Sequence, residues 1–117
     1  MYKTTNILLD TQDGVTRFGG NKTLYLKLLN KFSESLNEDL PAFEKALSFD
    51  TNEEFKREIH SLKGVSGNLS ANALYESCTA LDASLKLGHL EQELYDKLVT
   101  IYKETRVEIV NFLQENL

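Results

Sequence analysis

At 117 residues the chain is about the length one hydrophobic core serves, so a single domain over residues 1–117 is expected and a second core is not. Hydrophobic residues make up 41% and charged residues 26%, which fits a soluble globular fold and excludes disordered and fibrous classes. The net charge of −5 scatters Lys and Arg among more numerous acids, and the apolar run 7–9 falls far short of the roughly 20 residues a bilayer requires; nucleic acid and direct membrane contact are therefore not expected.

Scarce turn residues, with one Pro and six Gly, favour helices over a many-stranded sheet. Asp10 is suited to cap a short helix over 11–18, with Val15 and Phe18 as its apolar face and Gly19 and Gly20 as its stop. From Asn21, Leu29, Phe32, Leu36, Leu40, Phe43 and Leu47 recur at spacings of three and four, the pattern of a long amphipathic helix. Pro41 should kink or briefly break it. Thr51 and Glu54 match a capping box opening a third helix, with Phe55, Ile59, Leu62, Ser66 and Leu69 inward and an end near Leu69 or Ser70. A fourth helix follows with Leu74, Cys78, Leu81 and Leu85 inward and Gly88 as its stop. The fifth, from about Leu90, would turn Leu94, Leu98, Ile101, Thr105 and Phe112 inward. The expected fold is all-α: an antiparallel up-and-down four-helix bundle with a short extra N-terminal helix.

One face of the third helix makes poor sense as structure. His60, Lys63, Gly64 and Gly67 stand at i, i+3, i+4 and i+7, beside the core stripe. Two mid-helix glycines forgo about 2 kcal/mol of helix propensity in a fold whose whole stability is typically about 5 to 15 kcal/mol. A bare surface beside an imidazole suits the close approach of another protein, so Gly64 and Gly67 are expected in a docking face. An exposed imidazole is largely neutral near pH 7 and nucleophilic at one ring nitrogen, so His60 is a candidate phosphoryl acceptor. Lys63, one turn on, can stabilise the negative charge of a phosphoryl group, and Lys56 and Arg57, one turn back, add positive charge to the docking neighbourhood. If the third and fourth helices turn about Ala71, Asp82 lies opposite His60, where its carboxylate could hold the Nδ1 proton and leave Nε2 free to attack.

The run His60-Ser61-Leu62-Lys63-Gly64-Val65-Ser66-Gly67-Asn68-Leu69-Ser70-Ala71 resembles the HxLKGxxxxLGA signature of histidine phosphotransfer domains, with Ser70 where the signature has Gly. Cys78, Leu81 and Asp82 resemble its downstream half. Gly14, Arg17, Gly19, Gly20, Tyr25, Leu28, Leu29 and Phe32 are similar to the family's opening helices. The resemblance implies a four-helix bundle in a two-component phosphorelay, with His60 as phosphoacceptor, Lys63 as charge partner and Gly64 as docking glycine. Its partners would be response-regulator receiver domains, including those of a hybrid histidine kinase. Phosphoryl transfer rests mostly on positioning and charge neutralisation, so Mg²⁺ is expected on the partner receiver and no cofactor or metal on this chain. With no ATP-binding motif visible, a phosphocarrier without autonomous kinase activity is expected, acting as a monomer. It could be a free protein or the C-terminal domain of a hybrid sensor kinase.

Other readings fare worse. A di-metal carboxylate bundle needs Glu-x-x-His pairs, but Arg57 precedes His60 and Lys86 precedes His89 at that spacing. A helical interaction module without phosphorylation is the remaining alternative, and the retained His60 argues against it. His89 follows a helix-ending glycine and reads as a solvated loop residue. Cys78, on the apolar stripe and without a second cysteine, reads as a small core residue in a reducing cytoplasm. That compartment also suits the cytoplasmic end of a membrane-anchored kinase.

Overall fold

The computed structural model describes residues 7–47, 53–89 and 91–116, with side chains described up to residue 36 and again from residue 53. Five helices occupy these segments: α1 (Thr11–Arg17), α2 (Lys22–Leu47), α3 (Glu53–Asn68), α4 (Asn72–Lys86) and α5 (Gln92–Glu115). No strand occurs among the described residues. Among the described residues the main packed pairs are α2 with α3, α3 with α4, α4 with α5 and α5 with α2, which close a circuit, and α1 lies on α2.

The apolar periodicity accounts for the core. Leu29, Phe32 and Leu36 of α2, Phe55, Ile59 and Leu62 of α3, and Leu74, Cys78, Leu81 and Leu85 of α4 are all buried. Full burial of each such Leu, Ile or Phe contributes about 1.5 to 3 kcal/mol. The side chains of Leu40, Phe43 and Leu47 and the capping residue Thr51 lie outside the described residues. Two expectations need correction. The break at Pro41 does not occur: the α2 backbone stays helical through it, since a proline removes one backbone donor from a long helix. On α5 the buried line is Tyr95, Leu98, Tyr102, Thr105 and Ile109, while Leu94, Ile101 and Phe112 are partly buried on its flanks. Tyrosine rings there fill core positions that a leucine-based reading of the period assigned one residue away.

Three helices stop the same way. After α1, Gly20 N donates to Val15 O with Gly19 at φ +69°; after α4, His89 N donates to Ser84 O with Gly88 at φ +86°. After α3, Ala71 N donates to Ser66 O at 2.9 Å and Ser70 N to Gly67 O at 3.3 Å, with Ser70 at φ +61°. This bonding is the Schellman stop, whose left-handed residue is normally Gly. At Ser70 the side chain compensates: its hydroxyl donates to Asp13 Oδ2 at 2.7 Å, and its carbonyl accepts from Asp10 N at 2.9 Å. The Arg17 guanidinium, and then this Ser70 hydroxyl, hold the Asp13 carboxyl below its ordinary value. One residue earlier, the buried Tyr25 hydroxyl donates to Leu69 O at 2.8 Å, while a Cβ on Gly14 would overlap the Tyr25 ring. α1 and the start of α2 therefore grip the α3–α4 turn through named bonds.

Ser70→Ala keeps the left-handed backbone and loses the hydroxyl bond, whereas Ser70→Gly loses the bond but removes the steric cost. The Gly variant should be the more stable of the two by about 1 kcal/mol in urea unfolding; equal stabilities would show that the turn relaxes away from φ +61°.

Candidate functional site

The α3–α4 hairpin brings the predicted polar residues together. His60 lies on the outer side of α3 with 67% of its side chain exposed, and Asp82 lies on α4 with 7% exposed. Asp82 Oδ2 sits 3.8 Å from His60 Nδ1, 3.1 Å from Lys63 Nζ and 3.2 Å from Lys86 Nζ. Both ammonium groups and the imidazole therefore converge on one carboxylate oxygen. His60, Asp82 and Lys86, with Lys56, Arg57, Ser61 and Leu85, line a shallow open depression.

The carboxylate is a buried charge that its neighbours make tolerable. Burial disfavours its ionised form, but hydrogen bonds and charge from Lys63 and Lys86 outweigh this and hold it below its ordinary value. The expected proton hold on the ring is not present as a hydrogen bond: 3.8 Å exceeds the reach of an N–H···O contact. Asp82 Oδ2 is already occupied by two cations while His60 leans toward solvent, so Asp82 acts on the ring through charge. With Nδ1 the ring nitrogen at Asp82, the opposite nitrogen is the one available to an incoming reactant.

The remaining predicted residues divide. Gly64 has nothing within 4 Å of where a Cβ would stand, so its helix surface is bare. Gly67 departs from the docking expectation: a Cβ there would come within 2.9 Å of the Tyr75 ring of α4, so its missing side chain makes room for helix packing. Lys56 pairs with Glu53 at 3.4 Å, which moderates its positive charge, and Arg57 is exposed on the rim. His89 is exposed in the turn after α4. Cys78 is buried, and burial, with the charge of Asp82 second, pushes its thiol up to about 12, which leaves it unreactive. Lys86 escaped the sequence reading, although Asp82 and Lys86 form an i,i+4 pair that helix geometry alone would bring together.

Comparison with known families gives the context. The model of the Hpt domain matches residues 27–115, most of the chain and all of the α3–α4 hairpin. The chain belongs to the Hpt domain family. Hpt domains act in phosphoryl transfer within phosphorelays and in general interact with receiver domains. No curated protein and no solved structure matched in the corresponding searches. No described helix of this Hpt domain is long and apolar enough to cross a membrane.

Because the folded Asp82 carboxyl is held below its unfolded value of about 3.9, its contribution to stability is present above that value and is lost as pH falls through the folded one. Asp82→Asn should therefore be less stable than the parent at pH 7 by about 1 to 2 kcal/mol, Lys86 being largely solvated. In urea unfolding at a series of pH values that gap should close below pH 4; a gap independent of pH would show that packing, not charge, is what the Asp supplies.

Proposed function

We propose that this Hpt domain is a phosphocarrier in which His60 accepts a phosphoryl group from the aspartyl phosphate of one response-regulator receiver domain and yields it to another. The observation that carries this reading is the exposed imidazole of His60 beside a carboxylate bearing two lysines, on the bare glycine face of α3. In the transfer step the Nε2 lone pair forms the N–P bond while the P–O bond to the receiver's aspartate breaks, its electron pair leaving with the carboxylate. The ring, still protonated at Nδ1, becomes cationic, and the Asp82 charge 3.8 Å from Nδ1 lowers the cost of that state. Transfer onward is the reverse, with a second aspartate as acceptor.

Lys63 is the charge partner of the phosphoryl group, and Gly64, with Lys56 and Arg57, belongs to the docking face. Gly67 is left out, since Tyr75 accounts for it. On this reading Mg²⁺ sits in the receiver's acidic pocket, and the chain brings no cofactor and no kinase activity of its own. It works as a monomeric cytoplasmic domain. The three-residue connection between α3 and α4, and the circuit of helix pairs, support an antiparallel up-and-down four-helix bundle.

His60→Gln should fold with an unchanged melting temperature, its side chain being exposed, and should take no label from a phosphorylated receiver. Label retained by the folded variant, or found on His89, would overturn the assignment. Gly64→Ala, with open space at the Cβ, should gain up to about 1 kcal/mol of stability. Gly64→Gln should stay folded and slow transfer from a receiver at least about tenfold by steric exclusion, leaving phosphorylation by small-molecule phosphoramidate unaffected. Normal receiver transfer in that variant would remove Gly64 from the docking face.

A further inference from the structure

We infer that Lys86 is a second phosphoryl-binding cation, held ready on Asp82 in the unmodified protein and transferred to the phosphoryl group once His60 carries one. The inference rests on the reading of His60 as phosphoacceptor and adds a residue from the other helix to that site. Lys86 Nζ and Lys63 Nζ share Asp82 Oδ2, the oxygen that also faces His60 Nδ1. A single carboxylate oxygen serving two ammonium groups leaves one positive charge uncompensated beside the imidazole.

The two lysines are not equivalent. Lys63 is 24% exposed and packed along α3, whereas 66% of the Lys86 side chain is in solvent, at the rim of the depression that contains His60. Lys86 therefore has the freedom to swing, since only its tip is engaged and its stem crosses open surface. A phosphoryl group on His60 carries up to two negative charges, more than the Asp82 carboxylate, and is solvent-facing, so the mobile ammonium gains by moving to it. Lys63, bonded to Asp82 and one turn from His60, serves the phosphoryl group without leaving the carboxylate, so Asp82 is not left unpaired when Lys86 moves. A role confined to the last turn of α4, where any cation interacts favourably with the helix end, would explain a lysine at 86. It would place the ammonium at the helix end, away from Asp82 Oδ2 and His60, rather than 3.2 Å from the oxygen that faces the ring.

The test uses the whole chain phosphorylated with phosphoramidate, so that no receiver is needed, and follows the phosphorus resonance of phospho-His60 across pH in the parent, Lys86→Met and Lys86→Arg. Loss of a unit charge within a few ångströms of the phosphoryl group in solvent should weaken its second acid ionisation about threefold to fivefold in Lys86→Met. Lys86→Arg should restore it, and added salt should shrink the difference. An ionisation identical in parent and Lys86→Met would overturn the inference, with Lys86 remaining on Asp82. A loss of ionisation that Arg fails to restore would overturn it as well, since a charge effect must follow the charge. Failure of the underlying reading looks different: phosphoramidate would then leave His60 without a phosphorus resonance, or label His89, in the parent itself.

Discussion

The turn between α3 and α4 decides where His60 and Asp82 stand relative to one another. The two residues lie on different helices, and a slip of one position along either would carry the carboxylate away from the ring. Register is held at the turn by the Schellman bonds from Ser70 and Ala71, by the Tyr25 hydroxyl on Leu69 O, and by Asp10 and Asp13 on the two ends of Ser70. Each of these satisfies a backbone or side-chain group that a sharp turn would otherwise leave orphaned, so bonding and positioning are one requirement here. α1, which contributes little to the core, has its structural purpose at this turn.

Within that frame the polar site follows from the cost of burying one charge. Asp82 stands on a helix face directed inward, next to Leu81 and Leu85 and one turn from Cys78, where burial works against its ionised form. Two lysines keep it ionised, one from across the hairpin and one from the next turn of its own helix. Their ammonium heads meet at the carboxylate, 3.1 and 3.2 Å from Oδ2. The imidazole is excluded from the hydrogen-bonding positions and keeps both solvent exposure and an electrostatic link to the acid.

Much of this arrangement was legible in the residues alone. The helices and the inward positions of α3 and α4 follow from spacing, since aliphatic side chains at three and four residues leave a helix few alternatives. The pairing of His60 with Asp82 followed from counting equally from Ala71. What spacing could not supply was the partner of each missing side chain: Gly64 and Gly67 look alike on a helical wheel, and only the Tyr75 ring across the hairpin separates a bare surface from a packed one. On α5 the spacing placed Leu98 and Thr105 in the core but passed over Tyr95, Tyr102 and Ile109, whose side chains complete the buried line beside the partly buried Leu94, Ile101 and Phe112. The tolerance of Ser at position 70 was equally hidden, since its justification is Asp13, far away in sequence.

Electrostatics at the site run against those of the whole chain. The protein has a net charge of −5, yet at the hairpin two ammonium groups oppose one carboxylate, and Arg57 adds a further cation at the rim. Long-range repulsion between this chain and an acidic partner is screened beyond about 8 to 10 Å in physiological salt, whereas the local positive patch acts within that distance. Among the described residues, the surface beside the imidazole is therefore one that accommodates acidic groups.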